Sequence, residues 1–316
     1  MSTISKVRRV EIATPYPEGS VNAYILLGHP ITLVDTGIRR PSGVMSIRCA
    51  LQEEELSLQD IEQIIVTHMH VDHSGGVAEI QREVDVPVFV HERARPFLEG
   101  GIETFQRMEA YFQTFFSACQ ASGVSRRKRT YQEERWKRIH YLSDGDVLSA
   151  GEAAYQVLYV PGHSQTDICL FDKRTGDAFV GDHLLRDISA NAFIEPPAPN
   201  EVARPKPLIQ YRSSMERTEK LPIQRVYPGH GEPYVGHMDV IHKRFAEQEK
   251  RCHDIVKVLE QGEMSVFQLS QALFPKLEGE AIFLGLSEVQ GHLDLMLERN
   301  WVEEHQVDEK MWYALK

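Results

Sequence analysis

Three imidazoles and a carboxylate fall within six residues at His68-Met69-His70-Val71-Asp72-His73. Histidine and aspartate ligate divalent cations when their lone pairs converge on one point. Ahead of them Ile64-Ile65-Val66 is apolar and β-branched, as a short buried strand requires. Behind them Gly75-Gly76 lets the backbone turn sharply. On extended chain His68 and His70 project to the same side, so the pair can grip one ion. Asp72 and His73 follow at the strand-to-helix corner, where they can face a second ion beside the first. The pattern predicts a metal site at the end of a strand.

Four more stretches run from apolar chain into a polar residue: Leu33-Val34-Asp35-Thr36-Gly37, Val160-Pro161-Gly162-His163, Val180-Gly181-Asp182 and Tyr227-Pro228-Gly229-His230-Gly231. Together with H-x-H-x-D-H they resemble, in type and in order, the metallo-β-lactamase superfamily over residues 7–235. The resemblance implies an α/β fold, a four-layer αββα sandwich. It also implies two divalent metal ions. His68, His70 and His163 would hold the first and Asp72, His73 and His230 the second, with Asp182 bridging. Two such ions about 3.5–4 Å apart acidify a shared water to a hydroxide nucleophile and polarise a carbonyl or phosphoryl oxygen. Asp72 would then serve catalysis as well as ligation. Imidazole-rich ligation without thiolate suits Zn²⁺ first, with Fe or Mn as alternatives. For Asp35 the family pattern suggests a hydrogen bond to a ligand histidine; standing before Thr36-Gly37, it reads equally as a turn former. His183 is the candidate for proton donation or substrate contact. As the neighbour of Asp182 on extended chain it should point the other way, which favours a structural place. Tyr16, Tyr141 and Tyr211 are possible oxyanion donors that sequence alone does not position.

The elements that must present these groups are legible as alternating strands and helices. Val7–Ile12, Val21–Leu27 and Ile31–Asp35 read as strands, with a turn at Gly28-His29-Pro30. Ser42–Glu55 and Ser74–Val84 have helical spacing, and 86–90 reads as a strand. In the second half 155–160, 168–171 and 178–180 are strands, with 172–177 as a hairpin turn. Leu208–Leu221 is a helix, and 223–227 is the strand leading to His230. Such alternation supports a layered α/β domain, and the resemblance implies that its helices lie outside two packed sheets. The proline-rich stretch 183–207 should rim the site.

Residues 97–138 interrupt the alternation as a helical insertion. Phe105, Phe112 and Phe116 lie on one apolar helical face. Residues 125–138 carry seven cations, among them Arg126, Arg127 and Arg129, against two carboxylates. The insertion reads either as a packing helix with a solvated charge run or as a substrate lid, apolar for an acyl chain and basic for phosphates. After residue 236 the character changes again. Three helices (238–261, 266–274, 284–299) precede a small hairpin, an order similar to a winged-helix module. The expected division is a catalytic domain at 1–236 and a winged-helix-like domain at 237–316. The segment 239–316 holds nine Lys/Arg against fifteen Asp/Glu. A nucleic-acid-reading helix needs cations, so packing or homodimerisation is preferred for this module over nucleic-acid binding.

Composition bounds the rest. The chain is 42% hydrophobic and 26% charged with a net charge of −11, which fits a folded globular protein and argues against a general nucleic-acid binder. Cys49, Cys119, Cys169 and Cys252 are scattered, without a C-x-x-C pair, and suit a reducing compartment. No export signal and no run of 18 apolar residues is seen, so a cytoplasmic protein with no membrane span is expected. The function expected is hydrolysis of a small-molecule ester or thioester, possibly CoA-linked. Glyoxalase II-like chemistry is the closest type, though the basic C-terminal glutathione-binding pattern is not found. The alternatives are a phosphodiesterase or ribonuclease of the same superfamily, and a regulatory protein acting through its C-terminal module. A flavodiiron oxidoreductase would place a carboxylate where His70 stands.

Overall fold

The computed structural model describes residues 6–16, 18–121, 130–133 and 136–316. The first sheet contains β1 (Val7–Ile12), β2 (Val21–Leu26), β3 (Thr32–Val34), β4 (Gln63–Ile65), β5 (Val88–His91) and β6 (Ile139–Leu142), side by side in that order. β1 to β3 are antiparallel, and β3 to β6 are parallel. The second sheet contains β7 (Val147–Ala150), β8 (Ala153–Tyr159), β9 (Ile168–Phe171), β10 (Asp177–Gly181) and β11 (Arg225–Pro228). Its strands are antiparallel except for the last pair, β10 and β11.

Every residue of β2, β3 and β4 is buried, as expected of strands covered on both faces. The alternation of side chains sorts them between two layers. Tyr24, Leu26, Val34 and Ile65 face Tyr155, Val157, Leu170 and Phe179 across the gap between the sheets. Ala23, Ile25, Leu33 and Ile64 face outward, where Ile47 and Leu51 of α1 (Pro41–Glu53) cover them. On the far side, Cys169, Phe171 and Val180 pack against Leu208, Tyr211 and Met215 of α6 (Pro207–Glu219). The result is the expected stack of helices, sheet, sheet and helices.

The helix expected over 74–84 is two short ones, α2 (Val71–Ser74) and α3 (Val77–Ile80). The break falls at Gly75-Gly76, where other backbone comes too close for a side chain. A Cβ on Gly75 would lie 2.3 Å from Arg39 N, and one on Gly76 2.4 Å from Thr36 O. Strands β6 and β7 were not anticipated. The insertion holds α4 (Arg95–Glu99) and α5 (Gly101–Ala118). Phe112 and Phe116 of α5 are buried, and Phe105 is half-buried; Arg126, Arg127 and Arg129 lie outside the described residues.

The C-terminal part comprises α7 (His237–Leu259), α8 (Val266–Leu273), α9 (Ile282–Glu298) and the hairpin β12 (Val302–Val307) with β13 (Lys310–Leu315). Ser265 opens α8 with a capping box: its Oγ accepts from Gln268 N, and Gln268 Oε1 accepts from Ser265 N. These elements share one apolar core with α6 and the outer face of the second sheet, so Val240, Ile255, Leu286, Leu293 and Met296 belong with Leu208 and Met215. Helix α9 is buried along most of its length. A chelated pair ties it down further: Arg204 bonds Asp294 through both carboxylate oxygens, at 2.6 and 2.7 Å.

Candidate metal centre

Six polar residues sit just beyond the C-terminal ends of β3, β4, β8, β10 and β11, all at one edge of the sandwich: Asp35, His68, His70, His163, Asp182 and His230. Asp72 and His73, in the first turn of α2, complete the group. The structure brings all seven of the ligands suggested by the resemblance together. Three overlapping groups have ligand atoms within 4.8 Å of one another: His68, His70 and His163; His68, His73 and Asp182; Asp72, His73 and His230. Asp182 is central. Its Oδ1 lies 3.3 Å from His73 Nε2, and its Oδ2 lies 3.5 Å from both His163 Nε2 and His230 Nε2.

The imidazoles are oriented from outside the cage. His163 Nδ1 donates to Asn191 O at 2.8 Å, and His230 Nδ1 donates to Ser20 O at 2.8 Å. His73 Nδ1 donates to Asp35 Oδ2 at 2.8 Å. A ring nitrogen that gives its proton outward leaves the lone pair of the other pointing inward. Asp35 is itself held by Thr67, whose N–H and Oγ1 both donate to it at 2.8 Å. It therefore orients His73 from outside the cage, and with φ at 58° it also makes the turn into Thr36-Gly37.

Whether a cation fits can be judged from the inward atoms. His73 Nε2, Asp182 Oδ1 and His230 Nε2 are buried without a hydrogen-bond partner, and leaving such groups unsatisfied costs about 1–3 kcal/mol each. His70 Nδ1 is 3.1 Å from His68 Nε2 and 2.9 Å from His163 Nε2. Ring nitrogens this close can share a proton or a metal ion between them. Burial pushes the imidazoles of His68, His70 and His163 toward the neutral, ligating form, His70 down to about 3. Burial also opposes charge on His73, but Asp182, Asp72 and Asp35 together draw it toward the cation. That field is the one a bound metal would answer. The backbone makes room as well: a Cβ on Gly229 would lie 2.2 Å from Asp182 Oδ1 and 2.6 Å from His73 Cε1. The donor set fits divalent metal.

Other residues fall elsewhere. His183 is fully buried, and its Nε2 pairs with Thr218 Oγ1 at 2.9 Å, outside the cage; no part in the chemistry is assigned to it. Tyr211 donates to His183 O, and Tyr141 donates to Glu99. Tyr16 stays 40% exposed on the loop before β2, and the Asp72 carboxylate, after burial, contributes to its raised pKa. Phe193 was not anticipated. Its ring stands edge-on to His70 at 5.1 Å and to His163 at 5.4 Å. Asn191 and the buried Asp167, which accepts from Ser164 N at 2.7 Å, were also missed, because neither belongs to a motif.

A profile of the metallo-beta-lactamase superfamily matches residues 16–230. The chain belongs to that superfamily. Among its relatives, the probable metallo-hydrolase YqjP of Bacillus subtilis (strain 168) is 31% identical over 301 residues, 93% of each chain. Superfamily membership and this full-length likeness make the protein a metal-dependent hydrolase. The acyl-coenzyme A thioesterase MBLAC2 of Homo sapiens is 31% identical over 118 residues, only 37% of this chain and 39% of the relative. Among solved structures, the metallo-beta-lactamase family protein TTHA1429 from Thermus thermophilus superposes with a TM-score of 0.82 at 24% identity, covering 98% of both chains. A beta-lactamase domain protein from Burkholderia ambifaria superposes at 0.77 with 22% identity, covering 98% of this chain and 91% of its own. Likeness to these two structures concerns the fold. Among the described residues no helix is long and apolar enough to cross a membrane.

Proposed function

We propose that the protein hydrolyses a carbonyl ester or thioester, such as an acyl-CoA-like molecule, with two divalent metals, Zn²⁺ foremost. His68, His70 and His163 would hold one ion and Asp72, His73 and His230 the other, with Asp182 shared. When bound, such a pair supplies an acidified water and a Lewis-acidic pole for the scissile carbonyl. The chain's own part is orientation. Asn191 O, Ser20 O and Asp35 fix three ring tautomers. Phe193 sets an apolar ring edge-on beside His70 and His163. Asp72, its side chain 15% exposed against 7% for Asp182, is the more solvent-exposed of the two cage carboxylates.

The observation that carries the choice of substrate is the aromatic flank of the cage. A ring beside His70 and His163 favours an apolar acyl group, whereas a phosphodiester would need cations there. The partial likeness to an acyl-coenzyme A thioesterase supports the same reading, as does the acidic net charge of −11. All four cysteines are free, in keeping with a cytoplasmic setting. The test is metal analysis of the purified protein, then a screen of acyl-CoA thioesters, lactones, bis-p-nitrophenyl phosphate and single-stranded RNA. Ester or thioester turnover should exceed phosphodiester turnover and vanish in Asp72→Ala and His163→Ala. Metal-dependent RNA cleavage as the dominant activity would overturn the assignment.

A further inference from the structure

Phe193 is only half-buried and, among the described residues, belongs to none of the three apolar cores. One edge of its surroundings is the metal cage. On another side lies Phe283, in the first turn of α9, stacked on it at 6.1 Å with the ring planes 23° apart. Phe283 is backed in turn by Phe112 and Phe116 of α5, at 5.4 and 6.1 Å. A continuous run of aromatic rings thus leads from the ligand histidines to the C-terminal helices and the insertion, its far end, Phe112 and Phe116, buried.

The loop carrying Phe193 is fastened to α9 on both sides of that residue. Asn191 Nδ2 donates to Leu284 O at 2.9 Å, and Ile194 N donates to the buried Ser287 Oγ at 3.3 Å. Asn191 is also the residue whose carbonyl orients His163. The first turns of α9 therefore hold both the aromatic ring and a ligand's hydrogen-bond partner. Such anchoring lets a half-exposed ring keep one position.

We propose that Phe193 and Phe283 form the wall against which the substrate's acyl chain lies, so that the C-terminal helices set chain-length preference at the metal centre. This rests on the ester or thioester reading above. An alkyl chain fully buried gains about fourfold in affinity per methylene, from about 0.8 kcal/mol each. A wall covering one side should yield roughly twofold.

The test uses the full-length, metal-loaded protein and straight-chain alkyl hydroxamates from four to ten carbons, which need no particular leaving group. Calorimetric Kd values should tighten roughly twofold per methylene. Phe283→Ala and Phe193→Ala should each flatten that trend, whereas Phe283→Leu should keep most of it. Phe193→Ala alters a side chain outside the cores and Phe283→Leu conserves apolar volume, so the comparison does not depend on Phe283→Ala folding. Affinity in the wild type that is absent or independent of chain length refutes the wall. So does a trend untouched by Phe193→Ala. Chain-length-dependent binding without turnover of any ester or thioester leaves the wall standing and removes the substrate reading instead.

Discussion

Replacing Gly229 with alanine adds a single methyl group, and the structure says where it must go. The new carbon would lie 2.2 Å from Asp182 Oδ1 and 2.6 Å from His73 Cε1, each about 1 Å or more short of van der Waals contact. The backbone cannot retreat easily. Gly229 N donates to Gly181 O at 2.6 Å, and Gly229 O accepts from Asn22 N at 2.7 Å. The ligands must therefore yield, and the one displaced furthest is the carboxylate at the centre of the cage. Misplacing a catalytic constellation by 1 Å costs on the order of 100-fold in rate. We expect Gly229→Ala to lower kcat/KM by about that factor and to weaken metal binding at least about 10-fold. The assay is metal content by mass spectrometry with competition against a chromophoric chelator, beside a thermal melt of the metal-free protein. A Gly229→Ala protein with wild-type metal affinity and turnover would refute the geometry of the cage.

Three further outcomes follow from other contacts. Asp35→Asn places an amide N–H opposite His73 Nδ1–H, which favours the tautomer whose proton points into the cage; metal affinity by chelator competition should fall about 10–100-fold. Glu195, its pKa raised to about 7 by burial against the opposing hydrogen bonds from Gln165 and Ser164, holds its proton in the folded chain after the unfolded chain has lost it. Stability from this group is therefore full below about pH 4.5 and lost as pH rises through 7. Melting curves of Glu195→Gln should match the wild type at pH 4 and exceed it at pH 8, and the opposite order would sink the assignment. Arg204→Met leaves the Asp294 carboxylate, 3% exposed, with Gln290 as its one remaining side-chain partner among the described residues. Urea unfolding should show a loss of about 3 kcal/mol, much of it recovered by adding Asp294→Leu.

The ligands were legible in the sequence because each of their motifs ends an apolar strand, and strand ends are where a sandwich gathers side chains from distant parts of the chain. His163, Asp182 and His230 have no neighbours in sequence to suggest a metal, and only their order and their flanking glycines marked them. What escaped notice depends on tertiary approach. Phe193 lies in an irregular proline-rich segment, and Phe283 looks like any apolar residue on a helix; only the meeting of α9 with that loop gives either a place. The helix over 74–84 is interrupted where Gly76 N donates to Gly37 O, a tertiary bond that no local propensity encodes. Strands β6 and β7 are four residues each, too short for alternation to stand out.

Four of the seven inward residues occur within six consecutive positions, while the others wait until 163, 182 and 230. An unfolded or half-synthesised chain therefore already displays a chelating tract before its counterparts exist. Cation held by that tract is cation bound to the denatured ensemble, and it subtracts from the stabilisation that native affinity alone would confer. Raising zinc concentration should accordingly lift the melting temperature less than a single-site linkage curve requires. An Asp72→Ala, His70→Ala chain, stripped of half the tract, should refold in zinc with fewer trapped species.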